Sequence, residues 1–420
     1  MHRGVPREAR ARGTSRLQNL QIRLVQSEGE RRPAPLGCPE GHGWGRIREE
    51  GERFLYFVVS AGGTAGHINP ALAVADELRG RGHEILFVGT PDHIESTLAA
   101  QAGFPFTGFS VSGFDKAHPL SLLTSGKKIL SATKKAKRLF SDKRPDAVLT
   151  FGAYVSIPVG RAAHEMDIPL IVHEQNSVMG MANAYLARFA DVLALTYEGS
   201  DAGVKAKSAP VVLGNPVRAS VEQSDRARGR AFAGVPDDAL MLLVFGGSLG
   251  AQHLNRAICA MKERLLGIED LYIVHSTGQA DYDSVVSELA LAPEQQRRWR
   301  VFPYIDCMGD VLAASDLVVS RAGASSLAEI ATLHVPAVLV PYPYARGDHQ
   351  TLNARSHVAT GAAALVADAD LDGEAFRDLV AGLLCDGERR ATMAAACKKL
   401  SGADARRRLA DLAISATKER

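Results

Sequence analysis

Three segments place small residues where a strand would hand over to a helix, and each brings a group able to do chemistry. Residues 62–67 read GGTAGH. Glycines at such a turn let the backbone approach an anion, and the helix that follows offers unpaired N–H groups with a partial positive charge. His67 is the first large polar side chain after them. Residues 246–251, GGSLGA, repeat the device. Residues 320–329, SRAGASSLAE, provide a third such turn. Glu329, one turn into its helix, has the chemistry to accept two hydrogen bonds from a vicinal diol such as a ribose; a first-turn carboxylate favoured by the helix dipole is the competing account. For GGTAGH alone, a tight turn without ligand competes with an anion cradle. A dinucleotide fingerprint is a third account, because Ala61, Gly63 and Gly66 come within one residue of Gly-x-Gly-x-x-Gly. It is weakened by the alanine at the first position and by Thr90, where the second strand should end on a ribose-binding acid.

These turns need strands to carry them. From residue 54 onward, short β-branched or aromatic runs alternate with amphipathic stretches, the pattern of βα units around parallel sheets. Strands are expected at 54–60, 84–90, 146–152, 169–174 and 191–197, then at 240–246, 271–276, 316–322 and 336–342. Helices are expected between the strands, for example at 70–80, 254–266 and 326–334. VVSAGGTAG and LVFGGSLG open the two halves on one plan, and the Gly-Asn-Pro break in GNPVRASVEQSD (214–225) is the candidate linker. The predicted architecture is α/β, two Rossmann-like doubly wound domains facing each other across a cleft, with ligands at the carboxyl ends of the strands.

Composition bounds the function. A chain of 420 residues suits two domains. It has no apolar run of the roughly 20 residues that span a bilayer, and the arginines near its start have no apolar run behind them, so neither a membrane helix nor a secretory signal is expected. Five scattered cysteines fit reduced thiols in a reducing compartment. The net charge is +2, but residues 1–53 hold 11 Arg and 7 Glu, so the remaining chain is slightly acidic. A nucleic-acid role for the main body is therefore not supported. Residues 1–52, rich in Arg, Gly and Pro, read as a disordered basic extension or as sequence upstream of the true start.

Two further patterns carry chemistry. Asp-x-Asp strings, which can hold a metal against a departing diphosphate, occur at 281–283, 368–370 and 370–372. Each precedes an expected helix, where acids are ordinary, so no metal is expected. Residues 119–145 carry eight Lys or Arg against one Asp, with Leu120, Leu122, Leu123, Ile129, Leu130, Leu139 and Phe140 as an apolar side. That stretch is either a solvated helix face or a patch that attracts anionic lipid.

GGTAGHINPALAVADEL, FGAYVS (151–156), HEQNSVMGMAN (173–183), GNPVR (214–218), FGGSLGAQHLN (245–255), SRAGASSLAE and GDHQTLNA (347–354) stand in an order and spacing that resemble the MurG family over roughly residues 54–415. The resemblance implies the two-domain glycosyltransferase fold called GT-B. It also implies transfer of N-acetylglucosamine from UDP-N-acetylglucosamine to the 4-hydroxyl of the muramyl sugar of an undecaprenyl-diphosphate-linked muramyl pentapeptide (lipid I), giving lipid II for peptidoglycan with inversion at the anomeric carbon. By similarity, Thr64, Ala65, Gly66, Asn176 and Arg218 contact the sugar nucleotide from one side. Ser248 approaches its diphosphate, the Ile305 backbone meets the uracil, and Ala324, Ser325, Ser326, Leu327, Ala328 and Glu329 wrap the diphosphate and ribose. Gln350 holds hydroxyls of the transferred sugar, and Tyr154 and Glu174 lie on the acceptor side. His67 matches the histidine at the reaction centre and is the expected general base, with Glu174 in reserve.

The resemblance divides the chain into an acceptor and membrane-side domain (53–218), a UDP-sugar domain (219–403) and a final helix (about 404–418) that packs back onto the first. It implies a peripheral protein on the cytoplasmic face of the membrane that needs no cofactor. Ala65, Leu249 and Ser326 depart from residues common in the family, and Leu249 removes an amide. Two alternatives stay open: another GT-B enzyme, such as a UDP-sugar:diacylglycerol glycosyltransferase or a UDP-N-acetylglucosamine 2-epimerase, and, more remotely, an NAD-binding dehydrogenase.

Overall fold

Apolar runs with no polar interruption, such as YFVVS and LMLLVF, make stable strands only when both faces of their sheet are covered, and here both are. The computed structural model describes residues 53–111, 121–247, 250–400, 402 and 404–418; the extension read at 1–52 and Ser248 lie outside the described residues. The first sheet is formed by β1 (Tyr56–Ser60), β2 (Glu84–Gly89), β3 (Phe106–Gly108), β4 (Ala147–Thr150), β5 (Leu170–Glu174), β6 (Val192–Leu195) and β7 (Pro210–Val212), in the order β3-β2-β1-β4-β5-β6-β7. The second is formed by β8 (Leu240–Phe245), β9 (Leu271–Ser276), β10 (Trp299–Phe302), β11 (Leu317–Ser320), β12 (Ala337–Leu339) and β13 (Ala363–Leu365), in the order β10-β9-β8-β11-β12-β13. Every pairing is parallel.

Side chains along the central strands alternate between two cores. Phe57 and Val59 enter one core and Val58 the other; Leu242 and Val244 pack on one face of the second sheet, Met241, Leu243 and Phe245 on the opposite one. In each sheet the strand order reverses beside the first strand, between β1 and β4 and between β8 and β11. Crevices that bind ligands open at such points, and the Gly62 and Gly246 turns follow β1 and β8.

Seven helices matter to the site: α1 (Ala65–Gly80), α2 (Ser121–Asp142), α3 (Met181–Leu186), α4 (Gln252–Cys259), α5 (Ala324–Thr332), α6 (His349–Thr360) and α7 (Ala405–Ala416). Helix α1 begins five residues ahead of the expected start and runs through Pro70. The helix expected over 254–266 is two, α4 and Lys262–Leu266, with a break at Ala260 and Met261. Helix α7 crosses back from the end of the chain, and its Leu409, Ala410 and Ala413 are buried in the core that holds Leu72, Ala75 and Phe57.

Helix α2 turns Ala132, Ala136 and Phe140 into the core that Val58 enters and exposes Lys127, Lys128, Lys134, Lys135 and Arg138. The apolar side expected for a lipid surface is thus partly used in packing: Phe140 is buried and Leu139 rests on the core, whereas Leu130 is 56% exposed among the lysines. Leu120 lies outside the described residues. Among the described residues no helix is long and apolar enough to cross a membrane.

Candidate active site

A cavity of about 1430 Å³ lies between the carboxyl ends of the two sheets. It exceeds the roughly 300–1,000 Å³ of an ordinary small-molecule site, so a second substrate has room beside the first. Thr64, Ala65, Gly66, His67, Tyr154, Glu174, Asn176 and Arg218 line it from the first half, and Ile305, Ala324, Ser325, Ser326, Glu329 and Gln350 from the second. Leu327 and Ala328 do not line it; Leu327 belongs to the second sheet's core. The i, i+3, i+4 geometry of α5 turns Leu327 inward while Ser325, Ser326 and Glu329 face the cavity.

Two helix N-termini confront each other here. Thr64 and Gly323 are the N-cap residues of α1 and α5, and neither helix has a side-chain cap, so first-turn N–H groups are left to a ligand. The termini touch where Ser325 Oγ donates to the Gly66 carbonyl at 3.2 Å. A second tie lies nearby: Asn353 Oδ1 on α6 accepts from the Ser177 N–H at 2.8 Å, and its Nδ2 donates to Asn176 Oδ1 at 3.3 Å.

His67 stands in the first turn of α1 against Gly152, which follows β4. Gly152 has φ +105°, and a Cβ there would lie 3.0 Å from His67 Cδ2, so both backbone shape and contact require glycine. Thr64 Oγ1 lies 3.5 Å from His67 Nδ1. Burial lowers the pKa of the imidazole; the Glu174 charge and a hydrogen bond to Gly62 oppose that shift, and His349 adds to it. A neutral ring that donates one N–H keeps the other nitrogen as an acceptor.

Glu174 ends β5 and is buried. Its Oε1 accepts from the Asn176 N–H at 3.0 Å and Asn176 Nδ2 at 3.2 Å; its Oε2 accepts from the Gly180 N–H at 2.9 Å and Asn183 Nδ2 at 2.9 Å. Both oxygens are thus engaged in folding the 175–183 loop. Gln350 is oriented in a similar way: Oε1 accepts from the N–H groups of Ala322 at 3.2 Å and Tyr342 at 2.9 Å, which turns the amide donor toward the cavity.

Glu329 differs from Glu174. Among the described residues no protein donor bonds its carboxylate, and burial pushes its pKa up to about 7, against the pull of Arg218. Arg218 itself lies 3.8 Å from Asp76.

Residues 57–194 match the glycosyltransferase family 28 N-terminal domain, and residues 241–409 match its C-terminal domain. The UDP-N-acetylglucosamine–N-acetylmuramyl-(pentapeptide) pyrophosphoryl-undecaprenol N-acetylglucosamine transferase of Halothermothrix orenii is 37% identical over 363 residues, 85% of this chain and 98% of the relative. The crystal structure of Acinetobacter baumannii MurG is 30% identical and covers 86% of this chain and all of its own, with a TM-score of 0.68. The chain belongs to the MurG family. Its fold is the GT-B architecture of glycosyltransferases; the calicheamicin glycosyltransferase CalG4 shares that fold at 17% identity, with a TM-score of 0.63 over 88% of this chain and 99% of its own.

Within this MurG-family cleft, several residues had no role in the sequence reading. Asn353 and Asn183 stand inside the motifs GDHQTLNA and HEQNSVMGMAN, but only the fold shows that one ties the halves together and the other holds Glu174. Arg321 also lines the cavity, and nothing in SRAG separates its guanidinium from an ordinary surface arginine. His173 and His275 are buried, and desolvation lowers their pKa values to about 4 and about 3. Asp281, of the first Asp-x-Asp string, accepts from Asn255 Nδ2 at 3.0 Å.

Proposed function

We propose that this chain transfers N-acetylglucosamine from UDP-N-acetylglucosamine to the 4-hydroxyl of the muramyl sugar of lipid I, making lipid II. Residues 53–218 serve the acceptor and the membrane, residues 219–403 bind the donor, and the closing helix joins them. The observation that carries this reading is the convergence of two helix N-termini without side-chain caps, at Gly66 and Ser325, on a cavity that also holds His67 and Glu329, whose carboxylate accepts from no donor among the described residues.

The acceptor oxygen attacks the anomeric carbon from the face opposite UDP. The new C–O bond forms as the bond to the diphosphate breaks, and UDP leaves with the electron pair. His67 takes the hydroxyl proton; neutral near pH 7, it has the lone pair this needs. Glu174 shapes the acceptor-side loop instead, because its lone pairs already hold four N–H groups. Charge developing on the diphosphate is met by N–H groups of α1 and α5 and by Arg218, all in place before reaction; Ser248 of the second glycine turn is assigned to the same diphosphate by the family resemblance. Ala324, Ser325 and Ser326 lie at that helix end, with Leu327 and Ala328 as its packing. The Ile305 backbone reads the uracil, Glu329 accepts from the ribose diol, and Gln350 donates to the sugar. No cofactor enters this scheme.

Exposed Lys127, Lys128, Lys134 and Lys135, with Leu130 among them, form the face of α2 that meets anionic inner-leaflet lipid at the cytoplasmic surface. Thermal melts separate this reading from a dinucleotide enzyme: UDP-N-acetylglucosamine should raise the melting temperature and NAD should not. A shift with NAD alone would contradict it.

A further inference from the structure

The second and third Asp-x-Asp strings meet a histidine and the cavity arginine. Helix α4 follows the second glycine turn, and its His253 places Nδ1 2.8 Å from Asp368 Oδ2 and Nε2 3.2 Å from Asp372 Oδ2. The other oxygen of Asp368, Oδ1, pairs with Arg321 Nη1 at 2.6 Å. Burial alone would raise the Asp368 carboxyl, but the hydrogen bond with His253 and the charge of Arg321 outweigh it and hold the group below its usual value. The pair is largely shielded, with side-chain exposures of 10% for Arg321 and 15% for Asp368. An ion pair in such a place is kept by geometry and suffers when either partner is removed.

Arg321 passes this constraint onward. Its Nη1 donates to the carbonyls of Val340 at 3.3 Å and Pro341 at 3.2 Å. The peptide group between Pro341 and Tyr342 is therefore gripped on both edges: its carbonyl by Arg321, and its N–H by Gln350 Oε1 at 2.9 Å. The second donor to Gln350 Oε1 is the N–H of Ala322, the residue after Arg321. Hydrogen bonds on opposite sides of one peptide unit polarise and orient each other.

We infer that His253 and Asp368 are positioning residues for donor-sugar selectivity: through Arg321 and the Pro341–Tyr342 peptide they fix the direction in which Gln350 presents its amide N–H groups to the hydroxyls of the transferred sugar. The inference rests on the proposed donor reading. It assigns the acidic string at 368–372 to the orientation of a sugar-reading side chain. The UDP portion meets other residues, so recognition of UDP should survive changes at this clamp.

The test compares wild type, Asp368→Asn and His253→Gln by calorimetry with three probes: UDP, UDP-N-acetylglucosamine and its 4-epimer UDP-N-acetylgalactosamine. Loss of one well-aimed hydrogen bond corresponds to about a fivefold to tenfold change in affinity. Asp368→Asn should cut the preference for UDP-N-acetylglucosamine over its epimer by about that factor, with UDP affinity kept within about twofold. His253→Gln, which leaves the Asp368–Arg321 pair intact, should do the same to a smaller extent, and it decides the matter if Asp368→Asn does not fold. Unchanged preference in folded variants, or an equal loss for UDP and both sugars, would overturn the inference and leave the donor reading standing. A wild-type chain that bound none of the three would overturn the donor reading, and the inference with it.

Discussion

Pro70 has no N–H to give the Gly66 carbonyl, four residues before it, and Ser325 Oγ from the opposite half of the cleft donates to that carbonyl at 3.2 Å. Proline has no N–H to donate to residue i−4. The proline inside α1 thus frees an acceptor at the point where the two helix N-termini meet. Ser325→Ala should raise the KM for UDP-N-acetylglucosamine about two- to tenfold, the worth of one hydrogen bond. Pro70→Ala, which returns an N–H to the helix, should compete for the same carbonyl. The two changes together should cost less than their sum; additive effects in steady-state kinetics would show that the contact is incidental.

Replacing His67 by alanine should lower kcat about 10²- to 10⁴-fold with UDP affinity unchanged. Because burial lowers the imidazole pKa below the ordinary 6.5, the neutral base persists as pH falls, and the acid limb of kcat should lie below pH 6.5. An acid limb above that value, measured under saturating substrates, would point to another base.

Glu174 separates scaffold from catalyst. Glu174→Gln puts an NH₂ where an N–H donor now points, and should destabilise the protein by about 1–3 kcal/mol. Thermal melts should show that loss for Glu174→Gln and none for His67→Ala. Equal melting temperatures with a large drop in kcat for Glu174→Gln would make the carboxylate the base.

Glu329 should couple donor binding to protons. Its carboxyl titrates at about 7 in the free site, and a ribose diol that donates to the ionised form lowers that value. Binding near pH 7 should then release about half a proton, read by calorimetry in buffers of different ionisation enthalpy. The folded-state pKa is raised, so the folded protein binds more protons than the unfolded chain between about 4.5 and 7, and this group costs stability as pH rises through that window. Glu329→Gln should therefore raise the melting temperature of the ligand-free protein at pH 8 more than at pH 4.5, while it weakens donor binding.

Much of this was legible in the sequence, and the misses have causes. Strands β1, β2, β4, β5, β6, β8, β9, β11 and β12 are interior, and their uninterrupted apolar runs announce them. The four unanticipated strands, β3, β7, β10 and β13, are the four sheet edges. They span three or four residues, and β7 is exposed along its length and begins with Pro210. An edge with one neighbour needs neither length nor an apolar run, so it leaves little pattern. The early start of α1 was hidden by the glycines and by Pro70, both of which read as helix breakers. In the site, His67, Arg218, Glu329 and Gln350 stand in segments whose chemistry or resemblance marked them. The part played by Asn353 was not visible, because its partners Asn176 and Ser177 are 177 and 176 residues away.

Glutamine at Lys127, Lys128, Lys134 and Lys135 should weaken partitioning onto anionic vesicles at least about tenfold, since each basic group near such a surface is worth about 1 kcal/mol. Partitioning onto neutral vesicles should not change. Equal sedimentation with both lipids for wild type and variant would remove α2 from the membrane face.

The most direct test supplies the purified full chain with UDP-N-acetylglucosamine labelled in the sugar and a soluble lipid I analogue. The account predicts one UDP released per labelled sugar joined to the muramyl 4-hydroxyl, with the anomeric configuration inverted and no release of labelled sugar when acceptor is omitted. Acceptor-independent hydrolysis or epimerisation of the donor, or transfer with retained configuration, would contradict it.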